Sequence, residues 1–397
     1  MSSFVTALSD AISTRNEEIP LALYIHIPYC KVRCGYCDFN TYTAQELGAG
    51  VSQQSYYLQV IEELTNYATS FQKQGSVPKI DTIFFGGGTP TLLPAKQLGI
   101  IVTKVKELFD FAKNCEITTE ANPDTLSKEY LTILKESGFN RVSIGMQSAI
   151  PRVLKTLDRT HNPANVTKAV AWAKELDLQV SVDLIYGTPG ESLEDWQESL
   201  DAAIKLKPDH ISAYALIIET GTKMYRDITR SIIPAPDSDD QATKYEMADT
   251  AFSKSGYSWY EVSNWSTNKN TQCRHNINYW HNTDWLGIGP GAHGHLNGMR
   301  YFNAKHPRAY TQRLQSDIFP VQDYEVLTDL EKYEEHIMLA LRIQEGIKLT
   351  ELKEHKILLE QWQHLGYIKP ITANTKYLEL TLKGRLLADM LIKQILI

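Results

Sequence analysis

From Leu21 to about Ile218, β-branched apolar runs alternate with amphipathic stretches. The period-two and continuous apolar runs predict strands over 21–27, 80–85, 116–120, 141–147, 179–186 and 210–217. Between them, apolar spacing of three and four predicts helices over 53–67, 95–111, 127–137, 164–176 and 192–206. Gly and Pro clusters punctuate the series, notably Gly86-Gly87-Gly88-Thr89-Pro90 and Gly187-Thr188-Pro189-Gly190. Six β-α units in succession predict an α/β fold with a parallel sheet, either an open doubly wound sheet or a barrel. In both, ligands gather at the carboxyl ends of the strands.

The alternation breaks over 219–303, which is rich in aromatic, Asn, Gly and His residues with one helical stretch over 239–255. Helical periodicity returns at 330–342 and 350–365. A short hairpin (366–368 with 377–380) and a last helix (381–396) follow. The expected organisation is an N-terminal extension (1–20), a β-α body (21–218), an accessory lobe (219–322) and a small winged-helix-like domain (323–397).

Composition narrows the function classes. The 43% hydrophobic and 22% charged fractions are those of a soluble globular protein with a large core. A net charge of -7 with no Lys/Arg block argues against a nucleic-acid partner. No apolar run approaches a membrane span, and residues 1–20 lack the apolar core of a signal peptide. The unpaired cysteines suit a reducing cytoplasm.

Three of the five cysteines, Cys30, Cys34 and Cys37, fall within eight residues just past the first strand. Thiolates this close suit a soft metal: a zinc ion, which needs a fourth ligand, or an iron–sulfur cluster with one iron left open. His26 is the nearest candidate fourth ligand. The glycine triplet after the second strand lets a ligand approach the backbone and offers N–H groups to it. Glu120, Gln147, Arg159 and Asp183 sit at or near strand ends. Each, taken singly, also reads as a solvated or capping residue. Asp183 interrupts a buried strand, and a carboxylate there needs a partner. His275 and Tyr279, four apart in Cys273–Trp280, can share one side of a helical turn. Both residue types ligate heme iron; the plain alternative is an aromatic turn with a satisfied histidine.

Taken together, Tyr24-Ile25-His26-Ile27-Pro28-Tyr29-Cys30, the C-x3-C-x2-C cluster, Gly86–Pro90, Glu120-Ala121-Asn122-Pro123, Ser143–Ser148 and Asp183–Gly187 are similar to the radical S-adenosylmethionine superfamily. Within it, the chain resembles the coproporphyrinogen-dehydrogenase-like group from about residue 21 onward. The dehydrogenases carry a fourth cysteine where this chain has Phe39. Cys37-Asp38-Phe39, His275-Asn276-x-x-Tyr279 and Gly287–Gly294 are similar to the HemW family of heme chaperones.

The resemblance implies a partial (β/α)6 barrel. It implies that Cys30, Cys34 and Cys37 ligate a [4Fe-4S] cluster whose fourth iron takes S-adenosylmethionine. It implies that Tyr24, Tyr36, Gly87, Gly88, Thr89, Glu120, Gln147, Arg159 and Asp183 line the cosubstrate site. His275 is implied as an axial heme ligand, with Tyr279 in the same motif. The implied activity is heme binding and transfer to an acceptor protein, with an electron donor serving the cluster and no catalytic residue assigned. The alternative is radical-based oxidative decarboxylation of coproporphyrinogen III.

Overall fold

In the computed structural model, residues 3–44, 46–47 and 51–396 are described. The chain opens with helix α1 (Ser3–Ser13), strand β1 (Leu21–Ile27), α2 (Tyr56–Lys73), β2 (Lys79–Gly87), α3 (Ala95–Leu108) and β3 (Asp110–Ala121). Then come α4 (Lys128–Glu136), β4 (Arg141–Gln147), α5 (Pro151–Thr156), α6 (Pro163–Glu175), β5 (Gln179–Tyr186), α7 (Leu193–Lys205) and β6 (His210–Ala215). The six strands pair in parallel in sequence order, giving a partial (β/α)6 barrel.

The region after β6 runs through α8 (Lys223–Thr229), α9 (Ser238–Lys254), β7 (Ser258–Glu261), β8 (Asn264–Ser266) and α10 (Arg274–Trp280). It continues with β9 (Trp285–Ile288), β10 (His293–Leu296), β11 (Met299–Asn303), α11 (Pro307–Leu314) and β12 (Val321–Val326). This is not a lobe standing against the barrel, as the broken periodicity suggests. β8 and β7 extend the sheet beyond β6, while β9 pairs in parallel with β1 and starts an antiparallel meander to β12. Short strands punctuated by Gly carry too little periodicity to show that they join a sheet founded elsewhere.

Residues 1–20 likewise are not an appendage, Met1 and Ser2 lying outside the described residues. Phe4, Leu8, Ala11 and Ile12 of α1 enter the main core, and Arg15 forms a buried ion pair with Asp284 at 2.5 Å. The expected domain boundary at 322/323 falls inside β12, which hydrogen-bonds to β11. The last unit starts with α12 (Asp329–Ala340), whose capping box is formed by Thr328 and Glu331. It continues with β13 (Ile347–Lys348), α13 (Lys356–His364), β14 (Tyr377–Leu378), α14 (Leu382–Leu386) and α15 (Ala388–Leu396). It has its own core, built on Ile337, Leu352, Trp362, Leu378 and Leu391. The expected hairpin forms through an antiparallel bridge between Ile368 and Leu380, with Lys369 N–H donating to Glu379 O and Thr381 N–H to Tyr367 O, and β14 pairs in addition with Ile347–Lys348.

Two further boundaries differ from the pattern. α2 runs to Lys73 because Ala68 and Phe71 continue its buried stripe. α3 stops at Leu108 because Phe109 turns extended and packs against Phe71, after which Asp110 and Phe111 pair with β2. None of the described helices is long and apolar enough to cross a membrane.

Candidate functional site

A cavity of about 680 Å³ enters at the carboxyl ends of the barrel strands and follows the barrel interior. That volume is within the usual range for a cofactor pocket. Cys30, Cys34 and Cys37 line its mouth, all half-buried and all free thiols. The loop that carries them is held at both ends. Cys30 N–H donates to Tyr42 O, and Cys37 N–H donates to Cys34 O. Burial raises the Cys30 thiol and pushes that of Cys37 up to about 11. Phe39 lines the cavity beside them and is 57% exposed.

His26 is not a partner for the thiols. Its Nδ1 is 3.1 Å from the Tyr24 hydroxyl and its Nε2 is 2.9 Å from Asn40 O. The ring ties β1 to the chain just past the cysteines. Burial lowers it to about 4, so it stays neutral.

The glycine run acts differently from the expectation of free N–H groups. Gly87 N–H donates to Glu120 Oε2 at 3.2 Å, Gly88 N–H to Ile27 O and Thr89 N–H to Tyr29 O. All three donors are used. The glycines are required by close approach: a Cβ on Gly88 would sit 2.5 Å from Tyr29 O, and one on Gly87 would strike the His26 ring. The run thus locks the β2 end against the cysteine loop. Thr89 faces the cavity, with Oγ1 at 3.9 Å from Cys30 Sγ.

The strand-end polar residues converge. Arg159 lies after α5, yet its guanidinium returns to the site, with Nη1 3.6 Å from Cys34 Sγ and Nη2 3.3 Å from Gly145 O. Gln147 ends β4 with φ 63°, a left-handed conformation unusual for a residue with a side chain. The register with β5 shifts at the same place, which aims Gln147 into the cavity. Asp183 accepts from Ser143 Oγ and Ser181 Oγ, the partners its buried strand requires. Burial, then the neighbouring Asp183, pushes Glu120 up to about 7. Tyr24 and Tyr36 complete the walls.

The inner wall holds residues that sequence reasoning did not single out. Thr118, Arg141, Ser143, Ser181, His210 and Ser212 line the cavity below the strand ends. With Glu120 and Asp183 they recur every second residue on β3 to β6, so one face of each strand is polar. That alternation was the available signal. Thr118 Oγ1 and Arg141 Nη2 have no hydrogen-bond partner and are buried.

His275 and Tyr279 also line this cavity, on α10. His275 is 1% exposed and stacks on Phe84 at 5.1 Å. Its Nδ1 is 2.7 Å from Thr82 Oγ1, and its Nε2 is 2.8 Å from the Tyr279 hydroxyl. Burial lowers it to about 3, leaving a neutral ring. The motif is therefore within the same chamber as the cysteines, with both imidazole nitrogens bonded.

Residues 24–203 match the model of the radical SAM superfamily. The chain is 40% identical over 378 residues to the heme chaperone HemW of Mycobacterium tuberculosis, covering 95% of each chain. It is 34% identical to the heme chaperone HemW of Bacillus subtilis, over 83% of this chain and 86% of that one. The chain belongs to the HemW family. Among solved structures, coproporphyrinogen III oxidase (HemN) from Escherichia coli superposes with a TM-score of 0.82, covering 98% of this chain and 93% of that one. At 21% identity that likeness is one of fold.

Membership of the radical SAM superfamily implies a [4Fe-4S] cluster and S-adenosylmethionine, and the residues present fit both. Three free thiols ring one cavity mouth. The unpartnered Thr118 and Arg141 groups and the paired carboxylates Glu120 and Asp183 supply polar contacts deeper in.

Proposed function

We propose that this HemW-family chain is a heme chaperone, which binds heme and passes it to an acceptor hemoprotein. The observation that carries this reading is the 40% identity, across 95% of both chains, to a protein named for that role. Phe39 supports it, because it stands where the dehydrogenases have a fourth cysteine. The likeness to HemN is one of fold and does not by itself favour coproporphyrinogen chemistry.

Cys30, Cys34 and Cys37 hold the [4Fe-4S] cluster in this reading. When bound, it offers one iron to the amine and carboxylate of S-adenosylmethionine and accepts an electron from a donor protein. Glu120, with a carboxyl near neutrality, ionises readily beside a bound ammonium group. Gln147 and Asp183 are aimed at the same chamber, and Arg159 sets its charge against the Cys34 sulfur. Tyr24, Tyr36 and the Gly87–Thr89 backbone shape the walls and exclude water. Five free cysteines suit a reducing compartment, so we place the protein in the cytoplasm.

Anaerobic protein reconstituted with iron and sulfide tests the reading. Saturable hemin binding, with transfer to an apo-hemoprotein and no protoporphyrinogen from coproporphyrinogen III, is the expected result. Robust protoporphyrinogen formation overturns it.

A further inference from the structure

His275 offers no open nitrogen. A neutral imidazole has one N–H donor and one lone pair, and an iron needs the lone pair. Here Thr82 Oγ1 sits against Nδ1 at 2.7 Å and the Tyr279 hydroxyl against Nε2 at 2.8 Å. Whichever nitrogen binds a metal must first lose its partner.

The two partners differ in freedom. Thr82 belongs to β2, is 0% exposed, and also lies 3.5 Å from Asn278 Nδ2. Its backbone is held on both sides, by β1 and by β3. Tyr279 lies one helical turn beyond His275, on the cavity wall, with its ring between those of His275 and Trp285, the latter met edge-on at 4.9 Å. The ring meets His275 edge-on at 4.9 Å.

We propose that Tyr279 is a latch on the motif: its hydroxyl holds the His275 Nε2 through which heme iron binds, and heme loads only when that bond opens. Thr82 is the matching positioning residue. It accepts the Nδ1 proton and so leaves the lone pair on Nε2, as the outer partners of metal-bound histidines do. The inference rests on the heme-chaperone reading and assigns opposite effects to two residues of one motif.

The test is a hemin titration of the full chain, followed by the Soret band. Losing one neutral hydrogen bond with the competing group should tighten binding of Tyr279→Phe by roughly two- to tenfold. His275→Ala should weaken binding. Thr82→Val should lower the iron–histidine stretching frequency in the ferrous resonance Raman spectrum, a change that a purely structural role would not produce. In heme-free protein, the ¹⁵N signal of His275 Nε2 should move in Tyr279→Phe.

Weaker hemin binding by Tyr279→Phe, as in His275→Ala, makes Tyr279 a ligand and overturns the latch. Unchanged affinity and an unchanged ¹⁵N signal overturn it as well. In both cases heme binding by the unmodified protein leaves the chaperone reading intact. Undiminished binding by His275→Ala removes the latch together with the His275 assignment. No saturable binding by either the unmodified protein or Tyr279→Phe sinks the heme reading and the latch with it.

Discussion

Glu116, in the interior of β3, caps the helix that carries His275. Its Oε1 accepts the His275 N–H at 3.1 Å, and its Oε2 accepts the Arg274 N–H at 3.1 Å. The residue at the helix N-cap, Cys273, makes no side-chain cap of its own. Arg274 adds a pair with Asp81 at 3.1 Å. The helix is only seven residues long, so its position is set by these strands rather than by its own propensity. Glu116→Ala leaves buried N–H groups without acceptors and should cost about 1–3 kcal/mol in urea unfolding. A loss within error of zero would show that α10 is held by packing alone.

The three loop thiols and the remote Cys115 should separate in reconstitution. Cys30→Ala, Cys34→Ala or Cys37→Ala should each abolish the broad visible absorbance and most of the bound iron. Cys115→Ala should retain both, since Cys115 is buried on β3 and does not line the cavity. Equal iron in all four variants would move the cluster away from this loop.

Gly88→Ala should be costly although the residue is not in a left-handed conformation. The added methyl would lie 2.5 Å from Tyr29 O and 2.8 Å from Ile27 O, both backbone atoms that cannot step aside. Overpacking of this kind costs about 1–3 kcal/mol, and here it also pushes the cysteine loop off β2. Calorimetry and iron content after reconstitution should fall together. Full iron content in the variant would contradict the proposed locking role.

Lys244 and Glu191 form an ion pair at 3.2 Å with both side chains fully buried. Glu191 Oε2 also accepts the Gly187 N–H, and Lys244 donates to Glu191 O and to Asp240. The pair therefore holds the Gly-Thr-Pro-Gly turn after β5. Lys244→Met strands the Glu191 charge and should destabilise by roughly 3–5 kcal/mol. Adding Glu191→Gln to Lys244→Met should recover part of that loss. A double variant no more stable than the single one would show that the charge is not the cause.

Glu63 predicts a pH effect outside the cavity. It accepts from Gly289 N–H at 2.8 Å, Asn303 at 2.7 Å and the Tyr310 hydroxyl at 2.6 Å, joining α2 to the Gly287–Gly294 stretch and to α11. Burial outweighs these donors and raises the carboxyl to about 7. Such an acid binds more protons folded than unfolded. Its contribution is therefore present below the unfolded value and is lost as pH rises through about 7. Glu63→Gln cannot titrate, so its unfolding free energy should fall less than that of the parent between about pH 5 and pH 8. Parallel pH curves would show that Glu63 is ionised throughout.

The body of the fold was readable from Leu21 to Ala215. Long parallel strands buried on both faces leave continuous apolar runs, and each is followed by an amphipathic helix. The cysteine cluster was readable because its three members lie within eight residues of one another. The polar inner wall was harder to see. Thr118, Arg141, Ser181 and His210 each look like an isolated polar residue in a strand until the neighbouring strands are aligned.

By itself, the sequence determined the β-α order, the close spacing of three cysteines and, through Phe39 and the His275–Tyr279 spacing, the family. Each of these is local: it depends on residues within a few positions of one another. Tertiary structure decided what depends on pairing across the chain. It placed β9 beside β1, which turns an expected lobe into part of the sheet. It showed that the Gly87–Thr89 N–H groups are spent on Glu120, Ile27 and Tyr29, so these glycines serve close packing. It brought Arg159 back to Cys34, and it closed both nitrogens of His275 with Thr82 and Tyr279. A hydrogen-bond partner 193 positions away leaves no trace in spacing or periodicity, so only the folded chain can show that the nitrogens of His275 are already taken.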